Sequence, residues 1–103
     1  MVKVGLLVRI VARKGLEDTV ANFLAAAAPL AEAEDFTPAW FVYRADATTF
    51  YITDVFADDE GRRRHLEGDI AAALMARAPE LLAEAPEIVP VEVLAAKLPR
   101  GAR

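Results

Sequence analysis

The stretch FTPAWFVYRADATTFYITDVFA, residues 36–57, decides how this chain folds. Two runs of aromatic and β-branched residues, Phe36–Ala45 and Thr49–Ala57, flank the short turn Asp46-Ala47-Thr48, which is the pattern of a β-hairpin. On its N-terminal side, Leu16, Val20, Phe23, Leu24, Ala27 and Ala31 recur at three- and four-residue steps and predict a helix. Pro29 is expected to kink or fray that helix, because its ring removes the hydrogen bond back to Ala25. Before the helix, Val2–Ala12 is rich in branched apolar residues and ends at the turn Arg13-Lys14-Gly15, so it reads as a strand. On the C-terminal side, Asp58-Asp59-Glu60 places three acids where a helix begins, which suits both capping and the macrodipole. Leu66, Ile70, Ala73 and Leu74 carry that helix toward Ala78, and Pro79 is expected to open a further short helix holding Leu81 and Leu82. Glu87–Leu98 reads as a fourth strand, with Pro90 marking an edge or a bulge, and 99–103 as a mobile tail.

The order is βαββαβ within one α+β domain spanning 1–98, since 103 residues are too few for two cores. Right-handed crossovers then give a four-stranded antiparallel sheet with the helices on one face, the ferredoxin-like arrangement. The predicted strands are apolar on both sides. Val2, Val4, Leu6, Val8 and Ile10 oppose Leu7 and Val11, while Phe50, Ile52 and Phe56 oppose Tyr51 and Val55. Ile88 and Leu94 likewise oppose Val89, Val91 and Val93. Helices cover only one side, so the other calls for a partner, and a second copy is the simplest one.

Composition removes several classes of chemistry. Hydrophobic residues at 55% and charged ones at 27% are those of a globular chain and not of a disordered one. The sequence contains no cysteine, serine or glutamine, so disulfides, thiolate metal sites and cysteine or serine nucleophiles are excluded. A single histidine, His65, is too few for a zinc site of the usual kind. A net charge of -4 argues against a nucleic-acid footprint. Lys3 and Arg9 interrupt any signal-peptide core, and Phe23–Ala31 is under half of the roughly 20 apolar residues a membrane span needs. The expected location is the cytoplasm.

The segment Thr49–Arg62, followed by His65-Leu66-Glu67-Gly68, resembles the antibiotic biosynthesis monooxygenase family. So do the helix Ala71–Met75 and the closing Val91–Leu98. The most specific part is an aromatic strand carrying an acid, then a histidine early in the next helix. The resemblance implies a dimeric α/β barrel in which two ferredoxin-like sheets pack face to face. It also implies oxidation of phenolic polyketides or quinols by molecular oxygen, without metal, flavin or other cofactor. Haem-degrading relatives in this superfamily use an asparagine on the first strand, a tryptophan on the strand before the second helix, and a histidine. Here Asn22 falls on a helix and residues 49–57 hold no tryptophan, so the resemblance does not extend to haem degradation.

Several side chains carry candidate chemistry. His65 reads either as a general base near neutral pH or as a boundary histidine bonded to Asp69 four residues on. Asp54 shares a strand face with Phe50, Ile52 and Phe56, and a carboxylate in an apolar row needs a partner. His65, Arg9, Arg44 and an arginine of a second copy are the candidates. Arg62-Arg63-Arg64 follow Asp58, Asp59 and Glu60 at four-residue spacing, so local ion pairs account for them without a binding role. Asn22, Phe23, Trp40, Tyr43 and Tyr51 are candidates to line a pocket for a flat aromatic substrate, though aromatic residues in strands also serve as plain core. Taken with the family resemblance, which implies the oxidation of a small phenolic or quinol substrate, these residues predict a homodimer with His65 as base and Asp54 as its orienter. The alternatives are a non-catalytic dimer that holds a small apolar ligand, and an isomerase of a related barrel family using His65.

Overall fold

The computed structural model describes residues 1–99. Its elements are β1 (Val4–Val11), α1 (Glu17–Ala25), α2 (Ala28–Ala33), β2 (Ala39–Arg44), β3 (Thr49–Phe56), α3 (Asp59–Leu66), α4 (Asp69–Leu81) and β4 (Glu87–Glu92). The four strands form one antiparallel sheet in the order β2-β3-β1-β4, the ferredoxin-like topology expected from the element order. Asp46 closes the central hairpin by accepting hydrogen bonds from the backbone amides of Thr48 and Thr49 at 3.0 and 2.8 Å. Asp58 caps α3 by accepting from the amide of Gly61 at 3.0 Å.

The helical regions are each divided. The chain leaves α1 at Ala26, and Pro29 sits in the first turn of α2, where the amide hydrogen it lacks has no helical acceptor to lose. The second region breaks at Glu67-Gly68 into α3 and α4. Pro79 starts no new helix; it lies inside the last turn of α4, which ends at Leu81. One missing hydrogen bond so close to the end is tolerated because Leu74, Ala78 and Leu81 anchor that helix in the core. Strand β4 stops at Glu92, so Val93–Leu98 is not strand, and β2 begins only after Pro38. Pro90 does lie on an edge strand. Of the expected tail, only Pro99 is among the described residues.

The core lies between the helices and one sheet face, where Leu6, Ile10, Val20, Phe50 and Phe56 are fully buried. The opposite face exposes Leu7, Phe41, Tyr43, Tyr51 and Val89. Among the described residues, no helix is long and apolar enough to cross a membrane.

Candidate functional site

Alternation along β3 turns Phe50, Ile52, Asp54 and Phe56 toward the helices, and all four are buried. Asp54 stands opposite Leu6 on β1 and Trp40 on β2, so its carboxylate sits in an apolar row. His65, in the last turn of α3, faces it and is 5% exposed. Two glycines bring α3 close enough to the α2–β2 connection to form the site. A Cβ on Gly61 would lie 3.2 Å from the Phe36 carbonyl oxygen, and one on Gly68 would lie 3.1 Å from Glu34 Oε2. At Glu34 the backbone leaves the helix for an extended conformation, with φ -88° and ψ 100°.

Three ionisable groups meet there, with Asp54 and His65 buried and Glu34 half-buried. His65 Nδ1 lies 2.7 Å from Glu34 Oε1, and Nε2 lies 3.1 Å from Asp54 Oδ2. Thr37 Oγ1 donates to Glu34 Oε1 at 2.7 Å, which orients that carboxylate, and the Phe56 ring packs against the imidazole at 5.3 Å. The two contacts of His65 differ in quality. The Glu34 contact is a hydrogen bond, whereas Asp54 is held in a close ion-pair contact through Oδ2. Among the described residues neither Asp54 oxygen accepts a well-formed hydrogen bond, and the buried Trp40 Nε1 has no acceptor. Burial disfavours the imidazolium and pulls the His65 pKa down. Hydrogen bonding and charge from Asp54 and Glu34 outweigh this, and the pKa ends above its ordinary value. Two carboxylates against one cation leave the cluster with a net negative charge when all three are ionised.

Beside the cluster is an apolar cavity of about 130 Å³, walled by Phe23, Leu24 and Leu30 from the α1–α2 region, Ile70 and Leu74 from α4, and Trp40 and Ile52 from the sheet. Trp40 is the cross-strand neighbour of Asp54, and Ile52 precedes Asp54 by two residues on the same face. The carboxylate therefore occupies the next position along from the cavity wall. Among the described residues, no group of three or more His, Cys, Asp and Glu is arranged to hold a metal ion.

Phe23 and Trp40 thus share a cavity. Tyr43 and Tyr51 lie on the opposite sheet face and cannot line it with them, because odd-numbered residues of β2 and β3 point away from the helices. Asn22 is exposed on α1, outside the cavity wall. His65 does not pair with Asp69: its side chain points to the sheet, and Glu34 and Asp54 take both nitrogens. Of the candidate partners for Asp54 on its own chain, His65 is the one that reaches it, since Arg9 pairs with Glu84 and Arg44 with Asp18. The arginine run also pairs differently from its four-residue spacing. Arg62 and Arg63 bond Asp59 and Glu60 three residues back, Arg63 also bonds Glu67, and Arg64 lies over the Phe36 ring at 4.3 Å. Arg62 further donates to the carbonyls of Gly5 and Val91, tying α3 to β1 and β4. Glu34 and Thr37 are the site residues that sequence reasoning missed.

Comparison with solved structures places the chain beside the NE2512 protein of unknown function from Nitrosomonas europaea, at 53% identity and a TM-score of 0.96, with 98% of each chain covered. PA3566 from Pseudomonas aeruginosa is 22% identical with a TM-score of 0.78, over 92% of this chain and 97% of that one. The same fold occurs in a structure described as an antibiotic biosynthesis monooxygenase, at 11% identity and a TM-score of 0.77, over 89% of this chain and 99% of that one. No family model matches the sequence, and neither does any curated protein.

Proposed function

The chain belongs to the same family as the NE2512 protein of Nitrosomonas europaea, and from that premise we propose that it binds a single-ring phenol or quinol and promotes its oxidation by molecular oxygen. The observation that carries this reading is Asp54. A buried carboxylate that accepts no well-formed hydrogen bond is costly, and such groups concentrate where a ligand completes them. A hydroxyl group on a ring held against Trp40 supplies the missing donor. Size supports one ring over three: an apolar cavity of about 150 Å³ holds benzene, and this one measures about 130 Å³. In this reading Asp54 takes the phenolic proton and the ring anion passes an electron to dioxygen, so the substrate is oxidised and oxygen is reduced. His65 is committed to two carboxylates and serves to hold Asp54 and balance its charge. It is not the first base. The open sheet face carrying Leu7, Phe41, Tyr43, Tyr51 and Val89 is where a second copy would pack.

A second reading, a ligand-binding dimer without chemistry, is favoured by the cavity wall itself, which is built from apolar side chains and includes neither His65 nor Asp54. One experiment separates the two. Chelator-treated protein is titrated calorimetrically with single-ring quinols and then assayed for oxygen uptake with those that bind. The oxidation reading expects saturable uptake that Asp54→Asn lowers by about 10²-fold or more. Saturable binding with no uptake above background leaves the binding dimer, and no binding at all overturns both.

A further inference from the structure

The ligand cavity does not account for Glu34. Asp54, His65 and Glu34 form a row of proton-carrying groups, with steps of 3.1 and 2.7 Å between neighbours. The two ends of the row face different surroundings. Asp54 is separated from the apolar cavity by Ile52 and Trp40, which line its wall, and its side chain is 1% exposed. Glu34 lines a second, polar cavity of about 270 Å³ together with Glu32, Thr37 and Pro38. Trp40 lines both cavities and stands between them. A proton arriving at Asp54 among apolar side chains has His65 as its titratable neighbour at 3.1 Å, and His65 leads on to Glu34. Imidazole is suited to the middle position, because its two nitrogens face different partners.

We propose that Glu34 is the outer end of a proton relay, Asp54–His65–Glu34, which couples loss of a bound phenol's proton to release of a proton into the polar cavity. The proposal rests on the reading of Asp54 as acceptor of the phenolic proton. The relay starts from both acids as carboxylates and His65 as an imidazolium. The phenol O–H bond breaks and its proton bonds to Asp54. The Nδ1–H bond of His65 breaks and its proton bonds to Glu34, which passes it to solvent. One proton enters and another leaves, so the three residues have the same summed charge before the phenol gives up its proton and after Glu34 has released one to solvent. The reverse sequence returns a proton to an oxygen anion of the product. Thr37 acts on the relay by positioning, since its hydroxyl fixes the Glu34 oxygen that faces Nδ1.

The test uses the whole protein with 4-nitrophenol as probe and 15N-labelled histidine. Exchange of the His65 Nδ1 proton with solvent is read by NMR in the free protein, and release of a proton on probe binding is read with an indicator dye. Glu34→Gln keeps the shape of the side chain but cannot carry the proton. The relay expects exchange at least about tenfold slower in this variant, with proton release lost although the probe still binds. Formate added to Glu34→Ala is expected to restore exchange, and this arm stands if Glu34→Gln does not fold. If Glu34 is only a clamp, its loss loosens the cluster. Exchange as fast as wild type or faster, or proton release retained in Glu34→Gln, overturns the relay. Failure of wild-type protein to bind the probe instead overturns the ligand reading, and with it the inner end of the relay.

Discussion

Replacing His65 with alanine tests whether the buried cluster is held by one shared cation. In the wild type Asp54 is 3% exposed as a residue and the Glu34 side chain is 10% exposed, so both acids depend on His65 for charge balance. Removing one partner of a buried ion pair costs about 3–5 kcal/mol, because the remaining charge is stranded. Here two charges are stranded and the Phe56 ring loses its neighbour, which places the expected loss at the upper end of that range. Set against a total stability of about 5–15 kcal/mol for a domain, this is a large fraction. At about 4–8 °C per kcal/mol for a chain of this size, the melting temperature is expected to fall by on the order of 20 °C. Urea unfolding at neutral pH is the assay. The informative comparison is the double variant Asp54→Asn/His65→Ala, which strands one charge fewer and is therefore expected to be more stable than His65→Ala alone. A loss below about 1 kcal/mol for His65→Ala, the range of an exposed pair, or a double variant less stable than the single one, would refute the shared-cation account.

Two further outcomes are expected. The folded-state pKa of His65 is raised above its ordinary value of 6.5, so the histidine's contribution to stability is complete below that pH and is lost as pH rises through the folded pKa. Asp54→Asn removes one of the groups that raise it while leaving the burial that lowers it, so urea titrations across pH should show a smaller loss that is complete at lower pH; an unmoved profile would mean that Asp54 does not act on His65. The open sheet face predicts a homodimer at micromolar concentration that buries about 800 Å² or more per partner. Phe41→Asp, which places a charge among Tyr43, Tyr51 and Leu7, is expected to give a monomer by light scattering, and a wild-type mass near 11.2 kDa at every concentration would refute the interface.

The hairpin and its consequences were legible because they depend on short-range signals. Residues 36–57 carry period-two alternation on both sides of a turn that Asp46 closes, and this pattern survives folding nearly intact. The prolines were read less well. Pro29 and Pro79 each signal a missing amide hydrogen bond, but whether the helix breaks, restarts or tolerates the loss depends on what anchors its neighbours. Leu81 in the core keeps α4 running past Pro79, whereas the chain has already left α1 before Pro29. The arginine run misled in a similar way. Four-residue spacing suggested one set of pairs, but rotamers and the pull of the Gly5 and Val91 carbonyls and the Phe36 ring selected another.

By itself, the amino-acid sequence determined the βαββαβ order, the two-sided apolar sheet, the isolation of Asp54 in an apolar row and its need for a partner. Each of these follows from local spacing and from the cost of burying a charge. Only the tertiary structure decided which groups meet that need. Glu32, Glu34 and Asp35 are nearly equivalent as text, and nothing in their spacing marks Glu34 as the one that reaches His65 across 31 positions of chain. The turn of the backbone at Glu34 selects it, together with the close approach permitted by Gly61 and Gly68. The same packing sent Tyr43 and Tyr51 to one face of the sheet and Trp40 to the other, which a list of aromatic residues cannot do without the register of β2 on β3. Long-range contacts of this kind depend on which surfaces meet, and chain spacing carries little record of that.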